Sequence, residues 1–323
     1  MAETAPTCAD IIIVNWNSGG QLQDCLSSIA AHGAGRVGKV IVVDNGSTDG
    51  SDRVEAPALQ LVMVRAGRNL GFGPACNFGA THADAPFLLF LNPDAELREG
   101  VLAGALDHFA VPGADRVGVV GVRLVGRDGA AHRHCARFPS WRSFVGNSLG
   151  LTRALKRWFP PIPLLEFDHL SSRSVDHVMG AFYCIRRDVF EAVGGFDEGY
   201  FVYLEDLDLS RRVVQAGWRI DYVADVAAYH KQGGTSEQVK AHRLLYALEG
   251  NLIYAAKHLP WWQAATVGAV TLTVEPVSRL ARAALVRRSA DEFRFTAQGF
   301  GMLYRALPDI WRRMRGGKAG AGA

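Results

Sequence analysis

The stretch Ala85-Pro-Phe-Leu-Leu-Phe-Leu-Asn-Pro-Asp-Ala-Glu96 decides the fold of this chain. Its apolar run from Phe87 to Leu91 has the length of a strand and no helical period, which is typical of a strand buried on both faces of a parallel sheet. Pro93 has no N–H for a sheet ladder, so we expect the strand to end before it. The next side chains then lie at the carboxyl end of the strand, where open α/β sheets bind their ligands.

The carboxylate of Asp94, which follows this strand, has two roles open to it from the residues alone. Beside the amide of Asn92, a short carboxylate suits a divalent cation that bridges to a phosphorylated ligand. The same carboxylate could instead cap a helix that the pattern predicts over Val101–Phe109. The segment by itself favours neither role.

Apolar runs elsewhere in the chain predict further strands, and periodic segments between them predict helices. Strands are expected at Ile11–Val14, Val40–Val43, Leu61–Val64, Val117–Val122, Phe182–Ile185, Ile220–Val223 and Val226–Tyr229. Helices are expected at Gln21–Ala31, Asn77–His82, Arg187–Val193 and Leu207–Ala216. Strands that alternate with helices form βαβ units, so we expect an α/β protein with a mostly parallel sheet flanked by helices.

The composition is that of a globular protein from a reducing compartment. The 323 residues, 49% hydrophobic and 21% charged, suffice for one large α/β domain with an appendage or for two domains. Met1–Asp10 shows no secretion signal and the five cysteines lack CxxC spacing, so we expect reduced thiols in the cytoplasm. The longest apolar stretch, Leu259–Val277, is interrupted by Glu275 and Pro276 and falls short of a membrane span.

Charge divides the chain into two parts. Residues 240–323 contain 13 Lys/Arg and 5 Asp/Glu, a net charge of +8, which leaves −5 for residues 1–239. We therefore predict a catalytic domain over 9–236 and a basic, helical C-terminal extension over 237–323. A basic extension indicates an anionic partner, either a membrane surface or nucleic acid, but a packed amphipathic helix with a solvated basic face is equally compatible with it. The predicted strands lack the interleaved aromatic residues of RNA-binding sheets, so we expect no nucleic-acid partner.

Two polar loops after predicted strands have the composition of a nucleotide site. Asp44-Asn-Gly-Ser-Thr-Asp49 follows the second strand, and its small polar residues can bind a base or ribose, although a turn alone would also favour Asx-Gly. Asn69-Leu-Gly-Phe-Gly-Pro-Ala-Cys-Asn77 has glycines that let a backbone approach a phosphate. It lacks the GxGxxG spacing of dinucleotide-binding folds, which argues against NAD.

Three carboxylates and a histidine complete the candidate residues. Glu205, Asp206 and Asp208 lie at the start of a predicted helix, where acidic residues are also favoured for structural reasons. Either Glu205 or Asp206 could point into a cleft as a general base that takes a proton from a hydroxyl. His230 ends a predicted strand and could be structural or complete a metal site, and the glycine-rich residues 232–236 could fold over a diphosphate.

The order of these segments resembles the inverting family-2 glycosyltransferases, which have the GT-A (nucleotide-diphospho-sugar transferase) fold, and among them the bacterial rhamnosyltransferase-like branch. The likeness covers roughly residues 9–236 and depends on many moderately specific motifs that follow one order. The matching motifs are Val14–Asn17, Val43–Asp49, Asn69–Phe72, Asn77, Asn92–Asp94, Val175–Ala181, Gly194–Asp197, Glu205–Leu209, Ala216–Trp218 and His230.

The resemblance implies a site for a nucleotide-sugar donor. Asn15 and Asp44 would hold the nucleoside, and Asn92 would hydrogen-bond a ribose hydroxyl. Asn92 stands where the family has the first Asp of its Asp-x-Asp motif, so we do not expect it to bind a metal. The remaining donor contacts would come from Asn45, Ser47, Asn69, Gly71 and Asn77.

The resemblance also implies a metal site and a base. Asp94, the last residue of Asn92-Pro93-Asp94, would bind Mg²⁺ or Mn²⁺ together with His230 and the diphosphate oxygens. Asp206 would deprotonate the acceptor hydroxyl, with Glu205 as the second choice for the base. In-line displacement would then invert the anomeric configuration without a covalent intermediate.

The reaction implied by the resemblance is the metal-dependent transfer of a sugar, with dTDP-rhamnose as the favoured donor. The acceptor would be a hydroxyl of a glycan or of a polyprenyl-diphosphate-linked saccharide in the synthesis of a bacterial surface polysaccharide. Such an enzyme would act in the cytoplasm, peripherally at the inner face of the plasma membrane through its C-terminal extension. Three alternatives stay open: another UDP- or GDP-sugar as donor, a nucleotidyltransferase, and a non-catalytic sugar-nucleotide-binding protein.

Overall fold

A mixed β-sheet is the frame of the first of two structural units. The computed structural model describes residues 8–33, 35–231 and 240–316. Within these, the first unit comprises residues up to 137, 163–197 and 206–231, and the second comprises 138–162, 198–205 and 240–316. The strands are β1 (Ala9–Asn15), β2 (Val37–Asp44), β3 (Gln60–Arg65), β4 (Phe87–Leu91), β5 (Ala95–Glu96), β6 (Val117–Val125), β7 (Arg173–Val175), β8 (Phe182–Arg186) and β9 (Arg219–His230).

The sheet follows the order β3-β2-β1-β4-β8-β6-β9-β5, with β7 paired to β9. Strands β3, β2, β1 and β4 run parallel, as predicted, and β9 is parallel to β6. Strand β8 is antiparallel to both of its neighbours, β4 and β6. The carboxyl ends of β1, β2 and β4 therefore lie at the same edge of the sheet, and the predicted α/β class is confirmed.

Helices pack on both faces of this sheet or form the second unit. They are α1 (Gln21–His32), α2 (Phe72–Ala80), α3 (Val101–His108), α4 (Trp141–Ser148), α5 (Arg187–Ala192), α6 (Glu205–Gln215), α7 (Lys240–His258), α8 (Trp261–Ala269), α9 (Glu275–Ala281) and α10 (Ala290–Gly316). Strand β1 shows why the apolar runs are continuous. It sends Ile11 and Ile13 into one core cluster and Ile12 and Val14 into the other, because successive side chains point to opposite faces.

Helix α2 and strand β9 differ from the segments expected. Helix α2 begins at Phe72 rather than Asn77, because Gly71 forms its N-terminal cap residue and Pro74 is tolerated in a first turn, where its missing N–H has no partner to lose. Strand β9 is continuous, whereas two separate segments were predicted. Its pairing with β6 skips from Val223 to Ala227, so a bulge joins the two predicted segments.

The second unit is helical over most of its described length. Between Trp261 and Val286 the chain forms one helical run, in which π-helical segments at Val270–Val274 and Arg282–Val286 follow α8 and α9. The predicted boundary at residues 236 and 237 falls outside the described residues. Among the helices that the structure describes, each is too short or too polar to cross a membrane.

Candidate active site

Asn15 and Asp44, the last residues of β1 and β2, lie opposite each other in the sheet register. The fully buried amide nitrogen of Asn15 lies 3.1 Å from Oδ1 of Asp44 and from the hydroxyls of Ser47 and Ser51, so these three acceptors share its two hydrogens. The side-chain oxygen of Asn15 accepts from Ser18 at 2.5 Å. The structure thus brings Asn15, Asp44 and Ser47 together, as predicted, in a polar network at the sheet edge.

Asn45 connects this network to the glycine-rich loop that precedes α2. Its amide donates to Oδ1 of Asn69 and to the carbonyl oxygen of Gly71, both at 3.0 Å, and its oxygen accepts from the N–H of Leu70 at 2.9 Å. Gly46 has a φ of +79°, and a Cβ there would lie only 3.2 Å from the backbone of residue 68, so glycine is required. The two loops expected to hold the nucleotide are therefore joined.

Asn77 occupies a different environment. Its side-chain oxygen accepts from the N–H of Phe196 and its amide donates to the carbonyl oxygen of the same residue, both at 2.9 Å. A Cβ on Gly195 would lie 2.7 Å from that side-chain oxygen. These bonds account for Asn77 without a ligand, and its contact with the donor stays a prediction.

Asp94 lies beside His230 because of a short strand pairing. After Asn92-Pro93, β5 pairs antiparallel with the end of β9, and Ala95 lies opposite His230. Oδ1 of Asp94 and Nε2 of His230 are 3.3 Å apart, with side chains 10% and 5% exposed. The alternative capping role of Asp94 is wrong, because α3 begins after Gly100, which adopts the left-handed conformation at the N-terminal cap position.

The pair formed by Asp94 and His230 has the geometry and chemistry of adjacent metal ligands. Two ligands at right angles, each about 2.1 Å from a cation, lie about 3 Å apart, close to the observed separation. Nδ1 of His230 is buried and has no hydrogen-bond partner among the described residues. No cluster of three or more His, Cys, Asp or Glu side chains suited to a metal occurs in the part of the chain that the structure describes.

Asp206 is held at the start of α6. Its Oδ2 accepts from the N–H of Gly180 at 2.9 Å, and its Oδ1 accepts from the N–H of Leu207 at 2.8 Å. The side chain of Asp206 is 19% exposed, whereas Glu205 is buried. Asp208 is also buried and binds Arg212 at 2.8 Å, so it is accounted for structurally. Asp206 is therefore the carboxylate of this motif that solvent reaches most easily.

A buried polar chain lies behind Asp206, and the sequence analysis assigned it no role. Nε2 of His177 is 3.7 Å from Oδ2 of Asp206, and Nδ1 is 2.9 Å from the hydroxyl of Ser210, which is 3.1 Å from that of Tyr183. Burial lowers the pKa of His177, and Asp206 and Asp176 oppose this shift. His177 is thus neutral near pH 7. Its only signal in the sequence was its place in the matching motif Val175–Ala181.

The Gly180-Ala181 dipeptide connects the Asn92–Asp94 motif to Asp206. The carbonyl oxygen of Ala181 accepts from the N–H of Asn92 at 3.2 Å, while the N–H of Gly180 donates to Asp206. This follows from the pairing of β4 with β8, in which Leu91 lies opposite Phe182. The residues predicted for the metal and the base thus lie at the same edge of the sheet as Asn15 and Asp44.

The mostly parallel α/β sheet, with polar loops at the carboxyl ends of its strands, has the GT-A fold of nucleotide-sugar transferases. The chain belongs to glycosyl transferase family 2, whose family model matches residues 10–194. It is 29% identical over 268 residues to N-acetylglucosaminyl-diphospho-decaprenol L-rhamnosyltransferase of Mycobacterium tuberculosis H37Rv, covering 79% of this chain and 86% of that protein.

A second relative and a solved structure agree with this class. Rhamnosyltransferase WbbL of Escherichia coli K12 is 32% identical over 171 residues, covering 50% of this chain and 60% of WbbL. The solved mannosyltransferase PcManGT from Pyrobaculum calidifontis, a complex with GDP-Man and Mn²⁺, has a TM-score of 0.52 at 18% identity and covers 96% of this chain and 86% of that one. The structural likeness supports the GT-A fold, and both of these relatives are named as rhamnosyltransferases.

Proposed function

We propose that the chain transfers rhamnose from dTDP-rhamnose to a hydroxyl of a polyprenyl-diphosphate-linked saccharide, with inversion and with a divalent metal. The relatives named as rhamnosyltransferases support the sugar, and the mycobacterial protein is named for a diphospho-decaprenol acceptor. The observation that carries the proposal is the Gly180-Ala181 dipeptide, which binds Asp206 on one side and the Asn92–Asp94 motif on the other. The proposed base and the proposed site for the leaving diphosphate are thereby bonded to the same two residues of the backbone.

The donor's nucleoside would lie on the network of Asn15, Asp44 and Ser47. The amide hydrogens of Asn15 are bonded to neighbouring side chains, so Asn15 would act mainly by fixing the position of Asp44. The carboxylate of Asp44 would accept a hydrogen bond from the base or ribose. The N-terminus of α2, opened by Gly71, would face the diphosphate side with its free backbone N–H groups. Asn45 and Asn69 would keep that loop in place.

Asp94 and His230 would hold the metal, and the diphosphate oxygens would supply further ligands. A bound Mg²⁺ or Mn²⁺ neutralises the charge that develops on the leaving diphosphate. Carboxylate oxygen suits both ions, but an imidazole nitrogen is a better ligand for Mn²⁺ than for Mg²⁺. We therefore expect higher activity with Mn²⁺.

Asp206 would take the proton from the acceptor hydroxyl as that oxygen attacks the anomeric carbon. The bonds from Gly180 and Leu207 fix the direction of its carboxylate, which leaves the remaining lone pairs for the hydroxyl. His177 would act as a positioning residue. With Ser210 donating to Nδ1, the neutral ring would carry its proton on Nε2, the atom that faces Asp206.

The C-terminal extension would bind an anionic membrane surface that contains the lipid-linked acceptor. Its net charge of +8 over residues 240–323 supports this partner. The enzyme would then act peripherally at the cytoplasmic face of the plasma membrane. The glycine-rich residues 232–236, predicted to close over the diphosphate, lie outside the described residues.

A panel of sugar nucleotides tests the donor and the metal together. We expect turnover of dTDP-rhamnose above that of UDP- and GDP-sugars, loss of activity with EDTA, and recovery with Mn²⁺. The variant His230→Ala should lose metal-dependent activity, while His32→Ala, an exposed histidine at the end of α1, should not. Equal activity with and without EDTA, or turnover of a UDP- or GDP-sugar alone, would contradict the proposal.

A further inference from the structure

The helical run from Trp261 to Val286 turns its apolar residues toward solvent. Every fourth residue along it is exposed, and we call this set the outer face: Trp261, Ala265, Ala269, Thr273, Val277, Ala281 and Leu285. Trp261 is 80% exposed and Leu285 is 75% exposed. A contiguous apolar stripe of this length is rare on the surface of a soluble monomer and marks an interaction surface.

The buried side of the same helical run includes two polar residues, Thr271 and Glu275. Its buried positions are four or eight residues apart, at Val267, Thr271, Glu275 and Ala283. Glu275 accepts from the hydroxyl of Ser148 at 2.6 Å and from Nε of Arg279 at 2.8 Å. A charged residue, Glu275, is thus enclosed within the unit, while the large apolar side chains of Trp261, Val277 and Leu285 are exposed. Packing within the unit therefore does not explain the outer face.

The two π-helical segments keep the outer face on one side of the helix. In an ideal α-helix, six steps of four residues from Trp261 to Leu285 would carry a stripe about 240° around the axis. Each π-helical segment inserts about one extra residue, which rotates the stripe back around the helix axis by about 100°. The segments at Val270–Val274 and Arg282–Val286 thus remove most of the drift. The result is an almost straight stripe about 36 Å long, at about 1.5 Å per residue.

The charges beside the outer face are basic. Glu275, which is buried, is the sole acidic residue between positions 261 and 290, whereas Arg282 and Arg288 are exposed. Arg287 is also exposed but pairs with Glu292 at 3.0 Å. A surface that combines tryptophan, aliphatic side chains and unbalanced arginine has the composition of a helix that lies in the plane of an anionic membrane.

We propose that the outer face docks on an anionic lipid bilayer, with the helical run lying in the interface and Arg282 and Arg288 at the head groups. A second copy of the chain is the competing occupant. A dimer symmetric over this face would have no carboxylate on it to meet these arginines, whereas anionic lipids supply that charge. The inference identifies the membrane-binding surface of the proposed function and rests on that membrane partner, but not on the sugar or the base.

Vesicle flotation of the full-length protein tests the docking. We expect binding to vesicles of phosphatidylcholine with phosphatidylglycerol. Leu285→Ser should weaken that binding by about tenfold, since it removes an apolar side chain that the bilayer would bury. Leu170→Ser changes a leucine that is 62% exposed in the first unit, and as the matched control it should bind like the wild type.

Charge gives an independent arm. Arg282→Ser with Arg288→Ser should weaken binding to the anionic vesicles by about 30-fold and leave binding to pure phosphatidylcholine unchanged. If Leu285→Ser binds as tightly as Leu170→Ser, the proposal is wrong. It is equally wrong if light scattering shows a dimer that Leu285→Ser converts to monomer while vesicle binding stays the same.

The failure of docking can be told apart from failure of the proposed chemistry. Turnover of dTDP-rhamnose with a short, detergent-free acceptor analogue needs no membrane, so Leu285→Ser should keep it. Loss of vesicle binding with unchanged turnover supports the docking proposal, and loss of both in a protein with lowered Tm would contradict an exposed, non-structural role for Leu285.

Discussion

His177 is the residue whose replacement tests the positioning of the base. His177→Phe keeps an aromatic ring of similar volume in the buried site but removes both ring nitrogens, and with them the contact to Ser210 at 2.9 Å and the approach to Asp206 at 3.7 Å. Ser210 keeps its contact with Tyr183. The variant therefore removes the polar connection to Asp206 without emptying the core.

The distance gives the size of the effect. A full charge 3.7 Å from a carboxylate would interact by about 4 kcal/mol at an effective dielectric constant of 20, and a neutral N–H donor contributes less, about 1 kcal/mol. A loss of about 1 kcal/mol of transition-state stabilisation lowers kcat by roughly fivefold to tenfold. The free energy of unfolding should fall by about 1 kcal/mol for the lost hydrogen bond.

Steady-state kinetics with saturating acceptor measures this prediction. Because His177 does not touch the donor network, KM for the sugar nucleotide should stay within about twofold while kcat falls. His177→Gln, which restores an N–H donor, should recover part of kcat. Tyr183→Phe removes the hydroxyl that contacts Ser210, farthest from Asp206, and should lower kcat less than His177→Phe does. A folded His177→Phe protein with the wild-type kcat would refute the positioning role.

Three further predictions concern the same unit. The Asn77→Ala variant loses both bonds to the peptide of residue 196, so its free energy of unfolding in urea should fall by about 2 kcal/mol with kcat little changed. Gly180→Ala places a Cβ 3.1 Å from Oδ2 of Asp206 and should lower kcat with an unchanged Tm, whereas Gly301→Ala, which meets open space in α10, should leave kcat unchanged. Burial, and then the nearby imidazoles, lower the pKa of His134 to about 3. The contribution of neutral His134 to the free energy of unfolding is therefore complete above pH 6.5 and is lost as the pH falls from 6.5 toward 3. At pH 5 this loss is about 2 kcal/mol in urea unfolding, and His134→Phe should remove it; an unchanged pH dependence would contradict the buried, neutral state.

The fold could be predicted where burial on both faces leaves a simple pattern. Strand β4 begins at Phe87 and ends at Leu91 as expected, because all five side chains are buried and Pro93 follows. The start of α2 was missed because Gly71, Gly73 and Pro74 have low helix propensity. The helix is stabilised there by packing rather than by propensity. Local pattern and tertiary contact disagree there.

Local sequence yielded candidate site residues with alternative roles, and the resemblance supplied the role of each. The contact of Asp94 with His230 depends on a two-residue strand, β5, which is too short to leave a periodic signal and pairs with a strand more than a hundred residues later. The hydrogen-bonded side chains of His177, Ser210 and Tyr183 behind Asp206 come from the segment before β8, from α6 and from β8, and no local spacing in the sequence connects them. The outer face of the helical run was hidden for a similar reason, since π-helical segments shift the period from 3.6 toward 4.

The central claim is that Asp206 is the base of a sugar-transfer reaction. The most direct measurement compares Asp206→Asn with the control Asp188→Asn. Both carboxylates lie at a helix start and accept from the N–H of the following residue at 2.8 Å, but only Asp206 also accepts from Gly180. Calorimetry should show both variants binding dTDP-rhamnose with Mn²⁺ as the wild type does. We predict that kcat for transfer falls by about a thousandfold in Asp206→Asn and is unchanged in Asp188→Asn. Transfer by Asp206→Asn at the wild-type rate, with donor binding intact, would contradict the account.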